Sequence, residues 1–389
     1  MTILASRRSF LASAASLPLA LRSLAEPVSP PRWVFLGTDK GPGIFRASWD
    51  GATGKLGAPE LAVKTDRPNF FAMHPGLPVM YSVNELTGAG AGVSSFRVDT
   101  TTGGLTPINR VSSHGDGPCF VSVDHKGRSA FVADYTGGSM TAYDLGARGE
   151  LLDTPGRFDC RGNAACGALG PVKDRQEAAH LHCATVSPRN DFLLVCNLGE
   201  DAIEVFPITP GASEPLGQPM RVAARAGSGP RHVAFHPNGR WLYAIHELDC
   251  TVELFDWSVR GRAASLKRRD GSAVSTLGPR GKSPVDTACE VLVATNGRFV
   301  YTCTRGTGSN TIEVFGVDAR TGGLTRQQQL SCGGSVPRHM AFDPSERWLL
   351  CANQNGPGVT VFAHDAGTGK LTGPVQTVVA DTPMFVQFV

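Results

Sequence analysis

The sequence predicts an all-β protein, a seven-bladed β-propeller whose blades are four-stranded antiparallel sheets. The first observation is internal repetition, because "PRHVAFHPNGRWLYAIHE" at residue 230 recurs as "PRHMAFDPSERWLLCANQ" at residue 337. The second is the period: similar units begin every 46 to 63 residues, enough for the four short strands of a propeller blade. The third is the weakness of helical periodicity along the 389 residues.

Each repeat unit has the same order of elements. A short alternating strand is followed by a turn rich in proline, asparagine and glycine, then by a second strand and usually a third, such as "TVELF" at 251. A recurring turn, "TGKL" or "TGGL" at residues 53, 102, 321 and 368, announces a fourth, outer strand. Six complete units begin at Pro68, Pro118, Leu181, Pro230, Ala288 and Pro337.

The seventh unit is divided between the chain ends. The C-terminal "PMFVQFV" begins like every other unit but stops after one strand, whereas "RWVFLGT" at residue 32 is a second strand without a first. We expect these strands to pair in one blade and close the ring, which leaves no sheet edge exposed. The alternative, two separate β-sandwiches, does not account for a repeating hairpin.

The longest intervals between strand signals lie at about residues 145–180 and 257–287. We expect both to be loops inserted between blades, and long ordered loops often cover a functional site.

Residues 1–25 have the features of an export signal. Arg7 and Arg8 precede an apolar stretch at residues 10–21 that is too short to span a bilayer. Small residues before position 26 place cleavage after Ala25, and the arginine pair is typical of the twin-arginine route for folded proteins. A frayed basic N-terminus is the alternative. We expect residues 26–389 to be one propeller domain in the periplasm.

The charge balance argues against a nucleic-acid partner. Without Arg7, Arg8 and Arg22, 34 of the 37 basic residues remain, equal to the 34 acidic residues. After the signal, no run of about 18 apolar residues follows, so we expect no membrane association. We expect a monomer.

The ten cysteines give no metal-binding pattern. The loop "CRGNAAC" could join Cys160 to Cys166 in an oxidising compartment. The "HLH" at 180–182 lacks an evident third ligand, so we expect neither metal nor cofactor. Cysteines within apolar strand-like runs are expected to be buried thiols: Cys183, Cys196, Cys303 and Cys351.

Propeller geometry brings aligned positions of different units together, because the first strand of every blade lines the central channel. The second and eighteenth positions of consecutive units place His182, Arg231, Glu247 and Arg305 near one mouth of this channel. Unpaired buried charges are costly, so this group indicates an anion-binding site containing an acid or base. Three simpler interpretations remain open: Arg231 and Glu247 pair across one hairpin, His182 is a core histidine, and Arg305 extends its guanidinium to solvent.

With these residues the chain resembles the seven-bladed propeller lactonases, which include bacterial 6-phosphogluconolactonases and fungal 3-carboxy-cis,cis-muconate lactonizing enzymes. The resemblance extends over nearly all of residues 26–389, and its most specific parts are "RQEAAHLHC" from 175, "GPRHVAFHPNGRWLYAIHE" from 229 and "TCTRGTGSNTIEVF" from 302. It implies that the four channel residues form the active site. The residues that we expect to bind substrate around them are Gln176, His180, His232 and Arg338.

The expected function is hydrolysis of an anionic, carbohydrate-derived lactone. This reaction needs an activated water, a stabilised oxyanion and a proton for the departing ring oxygen. Glu247 is expected to act as general base, or as general acid in the reverse cyclisation. Arg231 and Arg305 are expected to hold the carboxylate or phosphate of the substrate, and His182 to transfer a proton or orient the carbonyl.

Two alternative functions remain open. A carboxymuconate-type lactonizing cycloisomerase would use the arginines to hold a polycarboxylate. A non-catalytic propeller, used as a binding or scaffold module, would instead expose an aromatic or apolar patch, and the five tryptophans and five tyrosines give no sign of one. Export also points away from 6-phosphogluconolactone, which is made and consumed in the cytoplasm.

Overall fold

A computed structural model describes residues 32–389, so the expected export signal at residues 1–25 lies outside the described part of the chain. Residues 32–389 form seven antiparallel sheets, each with at least four strands, arranged as the blades of a propeller. This confirms the predicted fold class. Within the same residues, no helix is long and apolar enough to cross a membrane.

The strands occupy the blades in chain order. The first strands belong to the blade that contains both chain ends, which we call the closure blade. Its first strands are β1 (Trp33–Thr38), β2 (Gly43–Asp50), β3 (Lys55–Leu56) and β4 (Glu60–Lys64). Blade 1 contains β5 (Phe71–Met73), β6 (Val79–Asn84), β7 (Gly92–Asp99) and β8 (Gly104–Ser112). Blade 2 contains β9 (Pro118–Val123), β10 (Ser129–Asp134), β11 (Ser139–Leu145) and β12 (Leu151–Asp159). Blade 3 contains β13 (Leu181–Val186), β14 (Phe192–Asn197), β15 (Ala202–Pro207) and β16 (Met220–Ala223).

The second half of the ring has the same organisation. Blade 4 contains β17 (Pro230–Phe235), β18 (Trp241–His246), β19 (Thr251–Arg260), β20 (Ala263–Arg268) and β21 (Val274–Ser275). Blade 5 contains β22 (Thr287–Val293), β23 (Phe299–Arg305), β24 (Thr311–Val317) and β25 (Leu324–Ser331). Blade 6 contains β26 (Pro337–Phe342), β27 (Trp348–Asn353), β28 (Gly358–His364) and β29 (Leu371–Val379), and β30 (Pro383–Phe388) completes the closure blade. Short 3-10 turns lie at Gly88–Gly90, Leu198–Glu200 and Gly278–Arg280.

The ring closes by pairing of the two chain ends, as predicted. Strands β1 and β30 are antiparallel neighbours, with Val34 opposite Phe388 and Leu36 opposite Val386. Because Leu36 and Val386 are both buried, this pairing belongs to the hydrophobic core.

The recurring "TGKL" and "TGGL" turns join each of their blades to the preceding one. The turn glycine has a left-handed φ, for example +67° at Gly103 and +74° at Gly322. A Cβ at Gly103 would lie 2.6 Å from the Trp33 ring, and one at Gly322 would lie 2.7 Å from the Trp241 ring. Both the backbone conformation and the close approach therefore require glycine here.

The two long intervals are only partly loops, so that prediction was wrong in part. The first contains β12 and the second contains β20 and β21, which are outer strands. The side chains of β20 are mostly exposed or half-buried, so this strand lacks the apolar alternation of an inner one. Residues 160–180 contain neither helix nor strand, and we refer to them as the mouth loop.

The cysteines behave as the sequence predicted. Cys160 and Cys166 form a disulfide at the start of the mouth loop. The four strand cysteines are buried free thiols: Cys183, Cys196, Cys303 and Cys351.

Candidate active site

The channel mouth is surrounded by aligned residues from all blades of the described ring. The second positions of the units are Asn69, Cys119, His182, Arg231, Cys289, Arg338 and Met384. The residues that follow or end the second strands are Asp39, Glu85, Tyr135, Leu198, Glu247, Arg305 and Gln354. Arginine and carboxylate side chains therefore come close together here from distant parts of the sequence.

Glu247 follows β18 and is almost completely buried, with 2% of its side chain exposed. Arg231 lies on β17 of the same blade, and its Nε is 3.1 Å from Glu247 Oε2. Arg305 ends β23 in the next blade, and its Nη2 is 3.1 Å from Glu247 Oε1. Arg175, in the mouth loop, donates from Nη2 to the same Oε1 at 2.6 Å. The simple hairpin pair considered for Arg231 and Glu247 is thus part of a larger charge cluster.

The arginines keep Glu247 ionised. Burial alone would raise the pKa of this carboxyl group, but the charges of Arg305, Arg231 and Arg175 outweigh burial and lower its pKa to about 2. Neighbouring groups orient the two blade arginines: Arg305 Nε donates to Thr287 Oγ1 at 2.8 Å, and Arg231 Nη1 donates to the carbonyl of Cys289.

Arg175 belongs to this charge cluster although the sequence did not predict it. Arg175 is the first residue of the stretch "RQEAAHLHC", but the resemblance predicted only Gln176 and His180 from this stretch as site residues. Arg175 comes from the mouth loop rather than from a repeat unit, so aligning the units could not find it. Its Nη2 also donates to the hydroxyl of Tyr135 at 3.3 Å.

Gln176, expected to bind substrate, is a buried residue of the mouth loop, and both the oxygen and the nitrogen of its amide form hydrogen bonds. Its Nε2 donates to the carbonyl of Leu198 at 2.9 Å, and its Oε1 accepts from the backbone N–H of Val172 at 3.0 Å. A Cβ on Gly199 would lie 1.7 Å from the carbonyl oxygen of Ala178, so glycine allows the loop to pack closely. Gln176 therefore fixes the loop that presents Arg175.

His180 is also occupied by contacts within the protein. Its Nδ1 lies 2.9 Å from the carbonyl oxygen of Tyr135, and its Nε2 lies 3.1 Å from Glu177 Oε1. Its ring stacks on the Tyr135 ring at 4.3 Å between centroids. His180 thus orients Tyr135, which in turn contacts Arg175.

His182 lies at the centre of the group, and its ring is buried. Its centroid is 5.1 Å from that of His232 and 5.4 Å from that of Tyr135. Burial, together with the charge of Arg231, lowers the pKa of His182 well below its ordinary value. His182 is therefore a neutral imidazole at neutral pH, close to the positive charges.

The remaining two expected residues, His232 and Arg338, line a cavity of about 20 Å³ in the channel together with His182 and Arg231. This volume is enough for one water molecule. His232 Nδ1 lies 3.0 Å from Glu290 Oε1, and burial with the nearby Arg231 charge lowers the pKa of His232 well below its ordinary value. The cavity floor is aromatic, since Phe70 packs against Phe120 and Phe385.

Several buried polar atoms at the mouth have no hydrogen-bond partner within residues 32–389. They are Arg305 Nη1, Arg338 Nε and Asn69 Oδ1. Buried polar atoms are normally satisfied, so the unpaired arginine donors at the mouth indicate a ligand that supplies oxygen acceptors. Arginine donors of this kind suit a carboxylate, a phosphate or a developing oxyanion.

Comparison with known proteins agrees with this architecture. Residues 34–388 match the family described as "Lactonase, 7-bladed beta-propeller". The chain belongs to this lactonase family. The relatives that the chain matches are lactone hydrolases, which confirms the enzyme class expected from the sequence.

Curated and solved relatives support the assignment along nearly the whole chain. A 6-phosphogluconolactonase of Bacillus subtilis is 30% identical over 346 residues, covering 89% of this chain and 94% of its own. One from Formosa agariphila is 30% identical and covers 87% and 94%. The structure of a periplasmic gluconolactonase from Pseudomonas aeruginosa is similar with a TM-score of 0.83 and 29% identity, covering 92% of this chain and 98% of that one.

This lactonase-family protein has one acidic side chain among the described residues that line the cavity. Glu85 follows β6 in blade 1 and lines the same 20 Å³ cavity as His182 and Arg231. Asn69 Nδ2 donates to Glu85 Oε2. Burial raises the pKa of Glu85, although the Asn69 hydrogen bond and the Arg67 charge oppose this shift. The pKa values of Glu85 and Glu247 are therefore shifted in opposite directions.

Proposed function

We propose that this protein hydrolyses an anionic, carbohydrate-derived lactone in the periplasm, opening the ring ester to a hydroxy acid. The observation that carries this proposal is the cluster in which Arg175, Arg231 and Arg305 surround the buried carboxylate of Glu247. A scaffold propeller gains nothing from burying Arg231, Glu247 and Arg305 at its channel mouth, because burying charges is costly.

The arginines serve as the anion clamp. Arg305 Nη1 and Arg338 Nε have no hydrogen-bond partner in the described chain and are available to the carboxylate or phosphate of a substrate. A guanidinium binds such groups through two parallel hydrogen bonds, which fixes the orientation of the substrate. Arg231, beside the cavity, is placed to stabilise the negative charge that develops on the carbonyl oxygen.

Glu247 is the general base of the proposal, and its basicity depends on Arg175. Of the three arginines, Arg175 is the most exposed, with 36% of its side chain accessible against 4% for Arg231 and 12% for Arg305. An anionic substrate that takes Arg175 away from Glu247 removes one positive charge and raises the pKa of the carboxylate. The base then becomes stronger only when substrate is bound.

His182 contributes as a neutral imidazole. Because its pKa is well below the ordinary value, it cannot deliver a proton as an imidazolium at neutral pH. A neutral imidazole still donates one N–H hydrogen bond, which suits it to orient and polarise the lactone carbonyl. Of the two roles expected for His182, the second is therefore the one that we propose.

The substrate class and the compartment rest on two lines of support. Residues 6–25 have the pattern of a twin-arginine signal. A structurally similar protein is a periplasmic gluconolactonase. Other relatives are 6-phosphogluconolactonases, so both phosphorylated and unphosphorylated aldonolactones belong in the test.

The test is a hydrolysis screen with the purified mature protein, residues 26–389. The panel contains glucono-1,5-lactone, its 6-phosphate and carboxymuconolactone, and spontaneous opening is measured in protein-free buffer. We expect the initial rate on at least one sugar lactone to exceed the spontaneous rate in proportion to protein concentration. Activity on carboxymuconolactone alone would favour the cycloisomerase, and background rates on every compound would favour a scaffold.

A further inference from the structure

The proposed reaction lacks a proton donor. When the lactone ring opens, the departing oxygen of an aliphatic alcohol is a strong base and needs a proton in the transition state. Glu247 is ionised by its arginines and carries a proton only after it has taken one from water. His182 and His232 are neutral, because burial lowers the pKa of each imidazole. A second acid that faces the cavity would supply this proton directly.

The geometry points to Glu85, and we propose that this residue is the general acid that protonates the departing ring oxygen. It is the carboxyl group in the wall of the cavity, where His182 and Arg231 also lie. Glu247, by contrast, is covered by arginines and does not line that cavity. The inference rests on the proposed function and adds a catalytic residue to the same site.

Burial favours the protonated form of Glu85, and the polar groups around it only partly oppose this effect. Asp39 follows β1 in the adjacent closure blade, and its charge raises the pKa of Glu85. Arg67 pairs with Asp39 at 2.7 Å, so this positive charge already has a counter-ion. Arg231 also faces it but is paired with Glu247. Cys119 in the same wall has a raised pKa because of burial and remains a thiol.

Asn69 holds the carboxyl group in place. Its Nδ2 donates to Glu85 Oε2, so in this proposal Oε1 carries the acidic proton. When the pKa values of two carboxyl groups are shifted in opposite directions, the group with the raised pKa can act as the acid and the other as the base. Here Glu85 is the acid and Glu247 the base.

Hydrolysis by Glu247 and Glu85 transfers two protons. Water adds its oxygen to the lactone carbonyl carbon and gives one proton to Glu247. The bond between the carbonyl carbon and the ring oxygen breaks, and the ring oxygen takes the proton of Glu85. The product has one carboxylic acid and one hydroxyl group, and the proton on Glu247 returns to Glu85 through solvent. No co-reactant other than water is consumed.

The first test is the pH profile of kcat for a sugar lactone that the wild-type protein hydrolyses. A general acid is active when protonated, so wild-type activity should decline as pH rises through the pKa of Glu85. Glu85→Gln should lower kcat by about 100-fold and lose this alkaline decline. Glu85→Asp should keep the decline at a reduced rate, which a merely structural role does not predict.

The second test varies the leaving group. A phenolic lactone such as dihydrocoumarin releases a weakly basic oxygen and needs little help from an acid. The ratio of wild-type to Glu85→Gln rates should therefore approach one on this substrate. The matched control is Glu313→Gln, which alters a buried carboxyl group on β24 that is paired with Arg326 rather than facing the cavity.

The outcomes separate the two proposals. If Glu85→Gln folds like the wild type and keeps its kcat or its alkaline decline, Glu85 is not the acid and the proposed function stands. An equal loss on sugar and phenolic lactones would also overturn the role of Glu85. If the wild-type protein hydrolyses no lactone, the proposed function itself fails.

Discussion

Arg305 Nη2 lies 3.1 Å from Glu247 Oε1, although the two residues belong to different repeat units and adjacent blades. The pair links blades 4 and 5 at the channel mouth, and the other terminal nitrogen of Arg305, Nη1, has no hydrogen-bond partner in the described chain. One arginine is thus fixed by a protein carboxylate and still has a donor available for a ligand.

Arg305→Ala should weaken binding of an anionic lactone. Loss of a charged hydrogen bond should raise KM for the phosphorylated lactone by about 10- to 100-fold, with a smaller change in kcat. The matched control is Arg326→Ala, which removes an arginine paired with Glu313 on outer strands and should leave KM unchanged. Equal KM values for Arg305→Ala and the wild type would contradict the anion clamp.

The ionisation of Glu247 should contribute to stability in a defined pH range. Its pKa is about 2 in the folded protein, below the ordinary value of 4.5, so the contribution is complete above about pH 4.5 and disappears as pH falls toward 2. The difference in unfolding free energy between wild type and Glu247→Gln should shrink by about 3 kcal/mol over this range. Urea unfolding at several pH values measures it, and a difference independent of pH would be incompatible with a depressed pKa.

The disulfide of the mouth loop should control the position of Arg175. Cys166→Ser opens a short loop, so unfolding free energy should fall by only about 2 kcal/mol. Trypsin cleavage within residues 160–180 should become faster and lactonase activity should fall, since Arg175 is no longer held. Gln176→Ala, which keeps the disulfide but removes the contact with Leu198, should have the same effect on activity. Wild-type cleavage and activity in both variants would show that neither contact holds the loop.

Ring closure should depend on Phe385, on the last strand. Its ring is buried at centroid distances of 4.2 Å from Phe70 and 3.8 Å from His339. Phe385→Ala should lower the unfolding free energy by about 3–5 kcal/mol, because a large cavity forms between the chain ends and the channel floor. The control is Val379→Ala, since Val379 is 78% exposed and its replacement should cost about 0.5 kcal/mol or less. Similar unfolding midpoints for the two variants would contradict this account of closure.

The fold could be predicted because the repeat unit encodes it. A hairpin that recurs with its turn residues fixes the number of blades, and a split unit fixes how they close. The outer strand β20 was not recognised, because a strand exposed on its outer side has little apolar alternation. Local pattern thus identified inner strands better than outer ones.

The site could be predicted only where the repeat alignment reaches. His182, Arg231, Glu247 and Arg305 occupy equivalent positions of adjacent units, and the structure brings them together. Arg175 lies outside every unit, so its contact with Glu247 depends on how the mouth loop folds across the channel. The spacing of Gln176 and His180 gave no indication that their polar atoms bind the protein itself.

The central claim is that blade geometry places Glu247 as the base of a lactonase site. Its most direct test is the initial rate of lactone hydrolysis by Glu247→Gln compared with the wild type, after subtraction of spontaneous opening and with far-UV circular dichroism as the control for folding. The account predicts that kcat falls by about 100-fold or more while KM changes little. A correctly folded Glu247→Gln protein with wild-type kcat would contradict it.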